Sequence, residues 1–139
     1  MPPLNCRTLR AKMTYKELSY SVVGAAINVH KELGPGLLEK VYQECLFYEL
    51  SKLGFQVEKE IAIPITYKGI QLDCGFRMDM LVENKLVIET KTVNEIHDIH
   101  RAQLLSYLKQ GDYRLGLLIN FHTVHLKNGI RRVVNGLIE

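Results

Sequence analysis

The stretch Phe76–Val93, FRMDMLVENKLVIETKTV, decides how the chain is read. Two runs of alternating residues flank Glu83-Asn84, the pattern of two short strands joined by a tight turn. Side chains repeat with period two along a strand. On the first run Met78, Met80 and Val82 are expected on one face, with Arg77, Asp79 and Leu81 on the other. On the second, Leu86, Ile88 and Thr90 share a face, opposite Val87, Glu89 and Lys91. Two carboxylates and an ammonium thus fall within one apolar hairpin. Buried charge of that kind is costly unless it is paired or bound to a metal ion.

Around this hairpin lies a chain of 139 residues, the size of one domain, and one domain over 1–139 is expected. Hydrophobic residues make up 47% and charged residues 24%, both ordinary for a soluble globular protein. A formal net charge of +3 is compatible with a nucleic-acid partner without requiring one. Cys6, Cys45 and Cys74 are far apart and odd in number, and no CxxC spacing supports zinc. A reduced, cytoplasmic setting is the simplest expectation. No apolar run approaches the roughly 20 residues that span a bilayer, so no membrane partner is expected. The start, MPPLNCRTLRAKM, is basic but has no apolar stretch behind it, so no secretory signal is expected. Residues 1–13 read as a loose lead-in.

Upstream of the hairpin, Thr14 and Glu17 fit a capping box. A helix is predicted from Tyr15 to Leu33, with Leu18, Val22, Ala25, Ala26 and Val29 as its apolar stripe. Gly34-Pro35-Gly36 stops it. A second helix fits Leu37–Leu53, with Leu38, Val41, Cys45, Leu46 and Tyr48/Leu50 on its buried side. Phe55–Tyr67 reads as a strand in which Pro64 argues for an edge position or a bulge. Lys68-Gly69 is a turn, and Ile70–Gly75 leads into the Asp79 strand.

Downstream, Thr92–Asn94 is a cap region, and a third helix is predicted over Glu95–Gln110 with Gly111 closing it. At about 100° per residue, His100, Gln103 and Tyr107 fall within an arc of roughly 60°, a polar trio on a face otherwise suited to packing. Arg114–Phe121, RLGLLINF, suits a strand buried on both faces. His125–Lys127 and Ile130–Val134 around Asn128-Gly129 suggest a last hairpin. The fold class is a mixed α/β domain, a central sheet covered by helices.

Asp79 followed by Glu89-Thr90-Lys91 fits the D…(E/D)xK pattern and resembles the PD-(D/E)XK nuclease-like superfamily, with Met78 where the proline of that name stands. By itself the pattern is weak. Three further stretches strengthen it. Val29–Tyr42 is similar to the GxxExxY signature, carried by Gly36, Glu39 and Tyr42. Gln103–Tyr107 resembles the QxxxY motif of RecB-like nucleases. Gly116–Phe121, GLLINF, is similar to the way GxxExxY proteins end their core. The resemblance runs from about residue 15 to 125.

It implies a restriction-endonuclease-like core, a four-stranded mixed sheet flanked by helices. It implies that Asp79 and Glu89 hold Mg²⁺ or Mn²⁺, with the Thr90 backbone carbonyl as a further ligand and Glu39 joining directly or through water. Lys91 is implied to position or activate the attacking water and steady charge on the phosphate, with Gln103 and Tyr107 bordering the site. Thr90 departs from the apolar residue common at that position. These roles make physical sense. Mg²⁺ wants oxygen ligands and keeps several waters, so two or three carboxylates suffice. His100, one turn before Gln103, is a candidate for phosphate contact or proton transfer. His30 and Arg101 are secondary candidates.

Each residue also has a plainer reading. Asp79, Glu89 and Lys91 fit a structural ion pair on a hairpin face. Glu39 in a first helical turn favours the helix dipole. Gln103 and Tyr107 fit packing roles, the tyrosine keeping its hydroxyl bonded. His30 fits a bond to a loop carbonyl near Gly34-Pro35-Gly36. His97, His122, His125, Lys52, Lys59 and Lys68 read as solvated, as do Arg131 and Arg132 on a strand edge.

The expected function is metal-dependent hydrolysis of phosphodiesters in nucleic acid, DNA before RNA. A homodimer is an expected assembly, since nucleases of this fold often pair to cut two strands. The alternatives are a nuclease-fold binding or assembly module with an unused site, and an enzyme acting on another phosphate-bearing substrate such as a nucleotide.

Overall fold

The structure, a computed structural model, describes residues 12–138. Most of the lead-in expected over 1–13 therefore lies outside the described residues. The first helix, α1, spans Tyr15–Leu33. Thr14 Oγ1 accepts from Glu17 N at 3.1 Å, and Glu17 Oε1 accepts from Thr14 N at 3.3 Å, which completes the expected capping box. All five residues of the predicted stripe are buried.

Helix α2 spans Glu39–Lys52 and begins two residues later than expected. Its buried side also differs. Tyr42, Leu46 and Leu50, spaced four apart, are fully buried, as the i, i+4 rule for one helix face requires. Leu38 and Tyr48 are largely exposed. Glu39, Lys40 and Val41 at its start are exposed, and Tyr42 is its first residue to reach the core.

Strands β1 (Val57–Tyr67), β2 (Ile70–Val82), β3 (Leu86–Lys91), β4 (Leu115–Asn120) and β5 (Ile130–Val134) form one sheet in chain order. Only β3 and β4 are parallel. Helix α3, Asp98–Gly111, makes the crossover between them. The resemblance implied four strands; there are five, because β5 adds antiparallel to β4. His125–Lys127 is no strand. A short 3-10 turn occupies Leu126–Gly129 instead. Pro64 sits on edge strand β1, where the register with β2 shifts between Ile63 and Ile65, as expected of a residue that donates no ladder bond. Gly75 is required opposite that shift, since a Cβ there would lie 2.0 Å from the Ile63 carbonyl oxygen.

The sheet has two apolar faces. Met80, Val82, Leu86, Ile88, Leu115, Leu117 and Ile119 pack with α1 and α2. Met78, Leu81, Val87 and Leu118 pack with Leu104, Tyr107 and Leu108 of α3. The expected alternation therefore fails at Met78, which joins Leu81 rather than Met80. The break falls at Asp79. Opposite it, Glu60 has φ of +52°, and the 60–79 pair is missing from a register that is otherwise regular between Val57 and Ile63. The ladder is interrupted where the candidate aspartate sits.

Candidate active site

The two arms of the central hairpin fix each other's carboxylates. The turn at Glu83-Asn84 has both residues at positive φ, +53° and +54°, the conformation that suits a tight hairpin. Past the ladder pair Met80–Ile88, side chains take over from backbone pairing. Asp79 N donates to Glu89 Oε1 at 3.0 Å. Thr90 N and Thr90 Oγ1 donate to Asp79 Oδ2 at 2.8 and 2.9 Å. Thr90, expected to act through its backbone, thus anchors Asp79 with its hydroxyl as well. One oxygen of each carboxylate is held in this way. The other makes no hydrogen bond to a described residue.

Glu89 is buried. Burial, then the nearby Asp79 carboxylate, push its pKa up to about 8, against the pull of the Asp79 N–H and Lys91. A shift of that size amounts to on the order of 5 kcal/mol against the charged form. No ion pair within 4 Å joins Lys91 to either carboxylate among the described residues, so the plain reading as a paired hairpin is not what the geometry shows. Lys91 Nζ instead points to Gln103 Oε1 at 3.5 Å.

Glu39 stands in the first turn of α2. Desolvation and then Asp79 raise its pKa, while Lys91 and the Thr92 N–H act the other way. It lines an open cleft of about 360 Å³ with Lys40, Gln43, Glu60, Arg77 and Asp79. The loop before it is held by Tyr42, whose hydroxyl donates to Gly34 O at 2.5 Å and accepts from Leu37 N at 3.1 Å. Gly36 within that loop has φ of +103°, a conformation that favours glycine. The Tyr42 ring stacks on Phe121 with centroids 4.6 Å apart. Tyr42 therefore positions the start of α2.

Helix α3 begins three residues later than expected. Its N-cap is His97, not the Thr92–Asn94 region. His97 N donates to His100 Nδ1 at 3.0 Å, which leaves Nε2 of His100 as the proton-bearing nitrogen. Desolvation and the neighbouring Lys91 hold the His100 pKa down. Tyr107 is buried against Phe76, centroids 4.6 Å apart. Burial, Glu89 and Asp79 push its pKa up to about 12, so it keeps its proton. Gln103 and Tyr107 thus both face the hairpin.

His30 lies elsewhere. Its Nε2 meets Thr123 O at 2.8 Å, so the carbonyl it bonds is not in the Gly34-Pro35-Gly36 loop. Lys59, read as solvated, pairs with Glu44 at 2.9 Å. Sequence reasoning missed Asn120. This buried side chain accepts from Val93 N at 3.1 Å and His122 N at 3.2 Å and donates to Val93 O at 2.8 Å. It straps the chain leaving β3, just past Lys91, to the end of β4. The signal was there: one amide closing an apolar run, GLLINF.

The donor set suits a hard divalent cation. Among the described residues no three His, Cys, Asp or Glu side chains group tightly enough to hold an ion by themselves. Mg²⁺ keeps several waters and takes one or two carboxylates, which Asp79 and Glu89 offer with Glu39 at the mouth.

The sequence model of the PD-(D/E)XK nuclease superfamily matches residues 16–133, most of the chain. The chain belongs to the PD-(D/E)XK nuclease superfamily. The restriction-endonuclease-like architecture, a mixed sheet between helices, is that of this superfamily. Among solved structures, the crystal structure of SSO0001 is similar, with a TM-score of 0.52 and 21% sequence identity, over 94% of this chain and 62% of that one. That likeness concerns the fold, and the PD-(D/E)XK chain here spans 62% of the length of that protein. No curated protein matches the sequence.

Proposed function

We propose that this chain is a divalent-metal-dependent phosphodiesterase acting on nucleic acid, with DNA as substrate, and a member of the GxxExxY group on the strength of Gly36, Glu39 and Tyr42. One observation carries the reading. Glu89 and Asp79 are two carboxylates held together in a hairpin with no cationic side chain paired to them, an arrangement that a divalent cation would relieve.

When bound at Asp79 and Glu89, Mg²⁺ or Mn²⁺ supplies a polarised phosphate and a water of lowered pKa. Hydrolysis joins the water oxygen to phosphorus and breaks the bond to one sugar oxygen, which leaves with a proton. Lys91, steadied by Gln103, presents a point charge to a phosphate oxygen. Thr90 holds Asp79 in place. Tyr107, protonated at neutral pH, has a hydroxyl to donate at the inner wall. His100 offers Nε2–H at the edge of the site, and Glu39 offers a carboxylate from the mouth.

The test is cleavage of single- and double-stranded DNA and RNA in Mg²⁺ or Mn²⁺. The expected result is cleavage that falls by on the order of 100-fold or more in Asp79→Ala and in Lys91→Ala, the loss typical of removing a group that stabilises developing charge. Undiminished cleavage in either variant sinks the site. A second reading, a nuclease-fold binding module, is favoured by the backbone bonds that already occupy one oxygen of each carboxylate. Calorimetry with Mn²⁺ separates the two, since a binding module takes up no ion.

A further inference from the structure

A second cavity, of about 260 Å³, lies on the α1 side of the molecule, lined by His30, Lys31, Val124, His125, Leu126 and Lys127 among others. Its basic side chains come from different parts of the chain. His30 and Lys31 lie in the last turn of α1, His125 in the loop after β4, and Lys127 in the 3-10 turn. The bond from His30 Nε2 to Thr123 O spans 93 residues and brings them together. Leu126, buried in the same core as Val29, fixes the turn from below.

No carboxylate lines the cavity. Among the described residues, no ion pair within 4 Å engages Lys31, His125 or Lys127. The contrast lies at the candidate cleft, where Lys40 pairs with Glu60 at 2.7 Å and, close by, Lys59 with Glu44 at 2.9 Å. Lys31 complements the α1 dipole, but that does not account for Lys127 and His125 facing the same hollow. The chain also links this cavity to the candidate site. Phe121 N donates to Lys91 O at 2.9 Å, and the next residues, His122 and Thr123, lead into the cavity wall. Lys91 ends β3 and Val124 follows the end of β4, so site and cavity both stand toward the carboxyl end of the parallel pair.

The geometry points to this hollow as a second contact for the nucleic-acid backbone, holding phosphates that flank the bond attacked beside Lys91. The inference rests on the nucleic-acid part of the reading above. Each phosphate neutralised by a lysine releases counterions, so the slope of log binding constant against log salt changes by about 0.7 to 0.9 per contact.

The experiment uses the full chain in Ca²⁺, with labelled single- and double-stranded DNA 20-mers, across a salt series. The variants are Lys31→Ala/Lys127→Ala, the charge-keeping Lys31→Arg/Lys127→Arg, and Lys52→Ala/Lys68→Ala, which removes the same charge elsewhere. The expected result is a shallower slope, by about one to two, in the first variant only, with thermal melting unchanged. A slope equal to that of Lys52→Ala/Lys68→Ala overturns the inference and leaves the cleavage reading intact. DNA binding too weak to measure in the unaltered protein at low salt overturns both. A reduced slope without any cleavage in Mg²⁺ upholds the surface and fells the enzyme.

Discussion

Glu89 is the residue on which pH acts most directly. Its folded pKa is raised to about 8, above an unfolded value near that of a free glutamate. In the metal-free protein it therefore stays protonated when folded and ionises on unfolding. The sign follows: unfolding releases a proton between those two values, so this group's contribution to stability is full at acid pH and is lost as pH rises toward 8. The melting temperature of the metal-free protein should fall relative to Glu89→Gln between about pH 5 and 8. A constant gap between the two across that window rejects the idea. Not all of this was legible in the sequence. Alternation put Glu89 and Lys91 on one face, correctly. It placed Met78 with Met80, incorrectly, because nothing in the residues announced that Glu60 would take a left-handed conformation opposite Asp79. The Thr90 hydroxyl was overlooked because the resemblance directs attention to the backbone at that position.

At the scale of elements, the site is assembled by clamps more than by the elements themselves. The Asn120 side chain satisfies three backbone groups between the end of β3 and the end of β4. Asn120→Ala leaves them unpaired in a partly buried place, which should cost roughly 2 to 3 kcal/mol in denaturant unfolding. Cleavage should fall further than that loss of folded protein explains, because Lys91 stands just before the strap. A variant with native activity per folded molecule would make Asn120 purely structural. Elements with local signals were readable: the Thr14/Glu17 box, the Gly34-Pro35-Gly36 stop and the buried run of β4. Those set by tertiary partners were not. The start of α3 is capped by a histidine pair, outside the usual cap chemistry of serine, threonine and aspartate. Strand β5 pairs with β4, across the 3-10 turn, rather than with His125–Lys127, a choice local pattern cannot express. The face of α2 differs from the expected one because Leu38 stands before the helix as its N-cap and Tyr42, Leu46 and Leu50, not Val41 and Tyr48, are drawn into the core.

Across the whole molecule, charge is distributed unevenly. Lys40, Lys59, Glu44 and Glu60 neutralise one another on the wall beside the cleft, where exposed pairs contribute little to stability. The lysines at the ends of α1 and the 3-10 turn are left to meet an outside anion. A formal net charge of +3 hinted at this without locating it. The topology sets a further asymmetry. Strand β2 pairs with β1 out to Ile70, but β3 covers it only from Met80 to Val82. Beyond Asp79 the two strands form an arm of the sheet, ending at the Lys68-Gly69 turn, where both residues have positive φ. Tyr67 and Ile70 at its tip are well exposed. That tip is the natural place to open the covalent chain. A tag inserted there disturbs no residue of the hairpin, the strap or the clamp on α2, since exposed loop tips tolerate such changes best. A chain with a short flexible insert between Lys68 and Gly69 should fold with its melting temperature little changed; one that fails to fold would show that the arm is needed to hold the sheet together.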